Sequence, residues 1–499
     1  MQPLEHSLLR PRVAMLAALA VFVTAPALAA EAPATLPDTP AGRRTAALLQ
    51  VFNEGDGRKM LAFVQENYAK AALAQRPAKQ HLGIYGELWV DTEGLTLQKV
   101  ESSKARTLIL VARDKLAGDT VRLQVDVEAK APHGITGVKV QPITPGDSGR
   151  PLTHEEVASA TRAYVEKLTA AEAFSGTVLI AQGDKVIYQG AFGLASRGFQ
   201  VPNRLDTKFN LGSLNKMFTA VAIAQLAEAG KLSFQDKVGK LLPDYPNKAV
   251  AEQVTVHQLL THTSGLGSFF NDKYEAADKS RLREVKDFLP LFVDEPLKFE
   301  PGTRWRYSNS GFVLLGAIIE KVSGRSYFEY VREHIYKPAG MTNSDCYEID
   351  RDPPNLAVGY TNQGPGGKES PKRDWNNLYL HVVKGGPAGG GYSTVEDLWR
   401  FSQALQANKL LGDKATQLVT TGKVQPDPED PANRYAYGFN EERAQGTRII
   451  GHGGGFPGIN SQLDIYLDKG YTVAVMSNQD PPSAGRVVQR IRKLLGVTP

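Results

Sequence analysis

From Ala41 to about Ala72, apolar residues recur at helical spacing: Leu48, Leu49 and Phe52, then Met60, Leu61, Phe63 and Val64. The break Asn53-Glu54-Gly55-Asp56-Gly57 divides this stretch into two predicted helices. From about Leu82 the pattern becomes strand-like. Ile84–Val90, Leu95–Val100, Thr107–Arg113 and Val121–Val127 are β-branched and alternating, with turn residues such as Asp91-Thr92-Glu93-Gly94 between them. A last short strand fits Val138–Ile143. Helices followed by a strand meander predict an α+β unit over residues 41–144. A second unit, 153–499, opens with a helix over Thr153–Ala170 and a hairpin of Gly176–Ala181 and Lys185–Gly190. Helical patterns fill its middle. Strands return at Gln462–Leu467 and Tyr471–Ser477, before a helix near Gly485–Leu495. Strands at both ends with helices between them predict an α+β fold: one antiparallel sheet flanked by helices, with an all-helical insertion beside it.

The ends and joints read differently. Arg10 and Arg12 precede an apolar run, Val13–Val23, and then Pro26 and the small-residue pattern Ala27-Leu28-Ala29. This predicts a secretory signal over 1–29, since the run is about half the ~20 residues a membrane span needs. Residues 30–40 are a Pro-rich linker, and 145–152 a Pro/Gly-rich joint between the two units. At 499 residues, 42% hydrophobic and 22% charged, the chain can bury a sizeable core. Its net charge of +5 is small and dispersed, which argues against a nucleic-acid partner. No second stretch would anchor it in a bilayer, so the expected location is periplasmic or secreted. The single cysteine, Cys346, cannot form an internal disulfide and reads as a small buried hydrophobe.

Three short segments carry chemistry. Asn210-Leu211-Gly212-Ser213-Leu214-Asn215-Lys216 leads into an apolar helix, Met217–Ala229, closed by Gly230. Ser213 is thus placed near a helix N-terminus, with Lys216 three residues on and on the same face. A buried lysine loses its proton more easily and can activate a hydroxyl. The alternative is a capping serine followed by a solvated lysine. Tyrosine and asparagine two apart occur at Tyr245/Asn247, Tyr307/Asn309 and Tyr360/Asn362. Tyr307 and Asn309 fall in a loop before an apolar helix, a rigid place to display polar groups. Tyr245 and Tyr360 lie in Pro- and Gly-rich turns and read as surface residues. In the third segment, Gly451-His452-Gly453-Gly454-Gly455-Phe456-Pro457-Gly458, glycines on both sides of one histidine would let substrate approach the backbone closely. Its alternative is a flexible loop with an incidental histidine. His257 and His262 are five apart, which does not suit a shared metal, and no metal or cofactor is expected. Ser393 with Glu396 reads as a capping box, and Gly385–Gly391 as a turn beside the site.

Taken in order, these segments resemble the serine β-lactamase and penicillin-binding-protein superfamily, in its class C-like branch, which also holds esterases and D-aminopeptidases. The context Thr255–Leu266 (TVHQLLTHTSGL), Pro301–Gly316, Pro338-Ala339-Gly340-Met341 and Gly389–Leu398 extends the resemblance from about Thr153 to the C-terminus. Residues 41–144 are similar in topology to the cone-shaped nuclear-transport-factor-like fold and read as an accessory unit. The resemblance implies that Ser213 is acylated and that Lys216 is its proton acceptor. Tyr307 would be a second general acid/base, and Asn309 would orient Lys216 and hydrogen-bond substrate. The N–H groups of Ser213 and Gly455 would form an oxyanion hole, with His452 and Gly454 in the substrate-binding motif. One departure matters. The family's Lys-Thr-Gly is here His452-Gly453-Gly454, a weaker carboxylate anchor. The expected substrate is therefore a small ester or a D-amino-acid amide or peptide. A β-lactam or D-Ala-D-Ala substrate is the alternative, and a non-catalytic cell-wall peptide binder the second. The oligomeric state is not legible.

Overall fold

The computed structural model describes residues 35–116, 118–143, 151–364, 368, 370, 373 and 375–497. The expected export signal and most of the joint at 145–152 lie outside the described residues. The helical spacing at the start of the chain produces α1 (Pro40–Glu54) and α2 (Gly57–Asn67). Gly55 closes α1 at φ 68°, and the Asp56 carboxylate caps α2 by accepting from the Arg58 and Lys59 N–H groups. Two more helices follow, α3 (Lys70–Gln75) and α4 (Ala78–Thr92). Helix α4 overturns the strand expected at Ile84–Val90. Leu82, Tyr85, Leu88 and Trp89 recur every three to four residues and turn one face into the same apolar cluster. Ile84, on the other face, is 46% exposed. The short apolar run satisfied both periods, and the helical one buried more.

Strands β1 (Leu95–Ser103), β2 (Thr107–Asp114), β3 (Thr120–Val127) and β4 (Ile135–Ile143) form an antiparallel meander in that order. Leu108, Leu110, Leu123 and Val125 pack under Leu48, Phe52 and Phe63 from the helices. The hairpin between β2 and β3 reaches the rest of the chain, where Asp119 meets Arg490 at 3.1 Å.

Helix α5 (His154–Ala170) opens on a capping box between Thr153 and Glu156. It leads into β5 (Gly176–Gln182) and β6 (Lys185–Phe192). After helices α6 (Asn215–Glu228), α7 (Asn309–Ser323) and α8 (Val395–Gln406), the chain returns through β7 (Asn433–Tyr435), β8 (Asn440–Ala444), β9 (Thr447–Phe456), β10 (Ile459–Tyr466) and β11 (Tyr471–Ser477). The last helix is α9 (Ser483–Leu494). The two ends build one antiparallel sheet of order β7-β8-β9-β10-β11-β5-β6. Its central strands are apolar throughout because both faces are covered. Val178, Ile180, Val473 and Val475 point to α5 and α9. Leu179, Ala181, Ala474 and Met476 point to the large core shared with α6, α7 and α8. Helix α6 is buried all round, from Asn215 to Ala224 without a break. Among the described residues no helix is long and apolar enough to cross a membrane.

The α6 packing is testable. Phe218 meets Tyr336 and Phe401 edge-on, at centroid distances of 5.2 and 4.9 Å. Phe218→Ala is expected to lower unfolding free energy by ~3–5 kcal/mol in denaturant titration. Ile84→Ala, on the exposed face of α4, is expected to change it by less than ~0.5 kcal/mol.

Candidate active site

Ser213 lies in a single 3-10 turn, Gly212–Leu214, immediately before α6. Gly212 takes φ 50°, and a Cβ there would fall 3.1 Å from the Gly454 Cα and the Gly455 nitrogen. Only glycine allows that turn to pass so close to strand β9. The turn is fixed from three sides. Its Leu211 N–H donates to the Gly391 carbonyl at 2.7 Å, the Gly212 N–H to Asn210 Oδ1 at 2.9 Å, and the Ser461 hydroxyl to the Leu211 carbonyl at 2.6 Å.

Lys216, the second residue of α6, is wholly buried. Its Nζ lies 3.2 Å from Ser213 Oγ and 2.9 Å from Asn309 Oδ1, and it donates to the Ala388 carbonyl. No carboxylate is among these partners. Desolvation drives its pKa well below that of a free lysine. The partner set suits the free amine. Two N–H groups satisfy Asn309 Oδ1 and the Ala388 carbonyl, which only accept, and the lone pair faces the Ser213 hydroxyl.

Tyr307 stands in the loop before α7, and Ser308 caps that helix by accepting from the Gly311 N–H. Lys216 Nζ is 4.7 Å from the Tyr307 ring centroid, and the Tyr307 hydroxyl shares a hydrogen bond with Ser213. Burial raises the Tyr307 pKa, so the phenol stays protonated in the free protein. Asn309 turns its amide nitrogen to Ser268 Oγ at 3.3 Å, which leaves its oxygen for Lys216. The other two tyrosines of this spacing are elsewhere, and they are not surface residues. Tyr245 and Tyr360 are each 8% exposed. Tyr245 packs into the large core, and the Tyr360 hydroxyl accepts from the Arg197 N–H beneath the Arg197 guanidinium.

The glycine-rich segment is not a loop. It is the end of strand β9, paired with β10 from Ile449↔Tyr466 to Phe456↔Ile459. Pairing with β8 stops at Asn440↔Gly451, so residues 452–456 present a free edge toward the Ser213 turn. Gly454 is dictated by contact, because a Cβ there would fall 2.0 Å from the Leu211 carbonyl oxygen. Gly455 lines the same pocket as Ser213, Tyr307 and Asn309. His452 and Gly454 do not. His452 is 5% exposed and both its nitrogens are engaged: Nε2 with the Tyr435 hydroxyl at 3.1 Å and Nδ1 with the Gly453 carbonyl at 2.6 Å. Burial and Lys216 lower its pKa to about 4, so it is neutral at physiological pH.

The pocket wall is largely apolar and aromatic, with Phe269, Phe270, Tyr274, Phe288, Val313 and Ile459; Asn210 and His381 also line it, and burial holds the His381 pKa below the usual imidazole value. Phe270, 44% exposed at the mouth, stacks on Phe456. Among the described residues no Asp, Glu, Lys or Arg lines it. The turn expected at Gly385–Gly391 does border the pocket. Its support comes from residues that sequence reasoning missed. Asn215 donates to the Gly386 carbonyl at 3.3 Å and accepts from the Gly391 N–H at 3.1 Å. Thr219 donates to the Pro387 carbonyl at 2.8 Å. The available signal was Asn215 and Thr219 standing beside Lys216, just before the apolar run Ala220–Ala224. Thr394, not Ser393, caps α8, and Ser393 instead bonds Ser344 Oγ at 2.7 Å. Cys346 is buried and free, as its hydrophobe reading required. His257 and His262 bond separate tyrosines, Tyr437 at 2.7 Å and Tyr435 at 3.0 Å. Among the described residues no group of three or more His, Cys, Asp or Glu side chains is placed to hold a metal.

A buried lysine against a serine, at the edge of an antiparallel sheet built from both chain ends, defines a class. The chain belongs to the Beta-lactamase family, whose family model matches residues 161–498, and it is a serine hydrolase of the β-lactamase and transpeptidase-like superfamily. It is 32% identical over 317 residues to penicillin-binding protein 4* of Bacillus subtilis, covering 62% of this chain and 68% of that relative. It is 31% identical over 257 residues to esterase EstB of Burkholderia gladioli, covering 46% and 65%. The crystal structure of a D-stereospecific amidohydrolase from Streptomyces sp. superposes with TM-score 0.55 at 28% identity, over 66% of this chain and 97% of that one.

The burial of His452 makes stability depend on acidity. Unfolded, the imidazole titrates near 6.5; folded, it does so at about 4. Between these values the unfolded chain binds more protons. Its contribution is therefore complete above pH ~6.5 and lost as pH falls toward 4, a total of ~3 kcal/mol. Thermal midpoints should drop across that window, and drop less steeply in His452→Gln.

Proposed function

We propose that the protein is an exported acyl-enzyme hydrolase of small uncharged esters, with Ser213 as the nucleophile. The observation that carries the substrate reading is the pocket wall, aromatic and without an ionised side chain. A penicillin carboxylate or a D-amino-acid ammonium would be buried there without a counter-charge, which is costly. An apolar acyl group would instead gain by contact with Phe269 and Phe288. Similarity to an esterase accords with this reading.

In the proposed cycle Ser213 Oγ attacks the ester carbonyl carbon and its proton passes to Lys216 Nζ. The N–H groups of Ser213 and Gly455 hold the oxyanion. As the bond to the leaving oxygen breaks, that oxygen takes the Tyr307 phenolic proton. Lys216, now an ammonium, returns a proton to the Tyr307 phenolate. Water then attacks the acyl carbon as Lys216 takes its proton, and Ser213 Oγ leaves and recovers that proton from Lys216. Every group ends as it began. Lys216 is assigned the first proton because burial favours its free amine and keeps Tyr307 protonated. A second reading, D-amino-acid amide hydrolysis, is favoured by the similarity to a D-stereospecific amidohydrolase.

The test is one preparation assayed on p-nitrophenyl butyrate, D-phenylalanine amide and a chromogenic cephalosporin. The ester is expected to show kcat/KM at least ~10²-fold above the other two. A preference for the amide or the cephalosporin would overturn the substrate reading. Ser213→Ala is expected to lose at least ~10³-fold in kcat, and Tyr307→Phe ~10²–10⁴-fold. Wild-type turnover in either would remove that residue from the cycle. Export rests on Arg10, Arg12 and the apolar run to Val23; mature protein should begin at Ala30 by N-terminal sequencing.

A further inference from the structure

One buried polar cluster beside the site is used by none of these steps. The Ser308 N–H donates to His262 Nδ1 at 3.0 Å. His262 Nε2 lies 3.0 Å from the Tyr435 hydroxyl, which lies 3.1 Å from His452 Nε2. His452 Nδ1 lies 2.6 Å from the Gly453 carbonyl. The first group only donates and the last only accepts. With neutral imidazoles the chain between them has one proton arrangement: His262 carries its proton on Nε2, Tyr435 donates to His452, and His452 carries its proton on Nδ1. His262, Tyr435 and His452 are 0%, 2% and 5% exposed, so water cannot replace a lost partner.

The ends of this chain are what give it a role. Ser308 sits between Tyr307 and Asn309. Gly453 is two residues before Gly455 on the free edge of β9. His262 also takes φ 60°, in the left-handed region. Its ring lies 4.3 Å from the Tyr307 ring, and its carbonyl accepts from the Arg306 N–H at 2.9 Å.

We propose that His262, Tyr435 and His452 form a positioning relay that locks the Tyr307–Asn309 loop in register with the strand bearing Gly455. None of the three touches substrate. The relay sets the distance between the groups that move protons and the N–H that holds the oxyanion. It rests on the hydrolase reading of Ser213.

A built-in control exists. Tyr437, 4% exposed and two residues from Tyr435, makes a like bond to His257 that leads away from the site. The experiment compares Tyr435→Phe with Tyr437→Phe in the full chain, with p-nitrophenyl butyrate as substrate. Both are expected to lower the thermal midpoint. Only Tyr435→Phe is expected to lower kcat, by at least ~10-fold, with KM changed by less than ~2-fold. His452→Gln and His452→Leu provide a second arm that does not depend on Tyr435→Phe folding. Glutamine keeps an acceptor near the Nε2 position and is expected to retain at least ~5-fold more kcat than leucine. Wild-type kcat in Tyr435→Phe, equal kcat in the two His452 variants, or losses carried by KM would each overturn the relay. Inactive wild-type protein would overturn the hydrolase reading and the relay with it; an active wild type with indifferent variants would overturn the relay alone.

Discussion

The Lys216 amine is buried among oxygens that cannot neutralise it, and the site is arranged around that fact. A charged ammonium shut away from water without a carboxylate costs several kcal/mol. The same burial makes the free amine the comfortable state. Keeping it dry requires α6 to be covered on every side, which is why its apolar residues show no exposed stripe. It also requires a hydrogen-bond partner from each neighbouring element. The start of α7 supplies Asn309, the turn before α6 supplies Ser213, and the glycine-rich turn supplies the Ala388 carbonyl. Asn215 and Thr219 hold that last turn in place from the helix that carries Lys216 itself. Lys216 and the residues that hold this turn thus share one helix.

A second constraint is closeness of backbones. The Ser213 turn lies against the backbone of both the Gly385–Gly391 turn and the free edge of β9. A Cβ at Gly454 would fall on the Leu211 carbonyl. In the proposed cycle it is this closeness that brings the main-chain N–H groups of Ser213 and Gly455 to one oxyanion. The sheet supplies the rigidity. Strand β9 is paired over its length with β10, and only its last residues lack a partner on the β8 side.

What was legible in the sequence was local. Ser213 and Lys216 are three apart, Tyr307 and Asn309 two apart, and the terminal strands are short apolar runs bounded by turns, so each is visible in a short window. What was not legible depends on distant chain. Residues 452–456 read as a loop because glycines mark turns, and their strand state follows from pairing with β10. Tyr245 and Tyr360 read as surface residues because Pro and Gly surround them, yet each is enclosed by segments remote in sequence. Helix α4 was lost to a short apolar run that fits either period. The bond between His262 and Tyr435 spans 173 residues, and no spacing rule reaches that far.

The exchange of the family's lysine for His452 bears on the base as well as on the substrate. A lysine beside Lys216 would add a second cation, which depresses the first amine's pKa by repulsion and offers a carboxylate an anchor. His452 does neither, because it is neutral above about 4 and both its nitrogens are occupied. Lys216 then owes its lowered proton affinity to desolvation, with no neighbouring cation contributing. Desolvation demands a dry, apolar surround, and an apolar surround rejects ionised substrates. In the proposed reading the pocket wall without an ionised side chain and the dry Lys216 amine suit the same substrate, an uncharged ester.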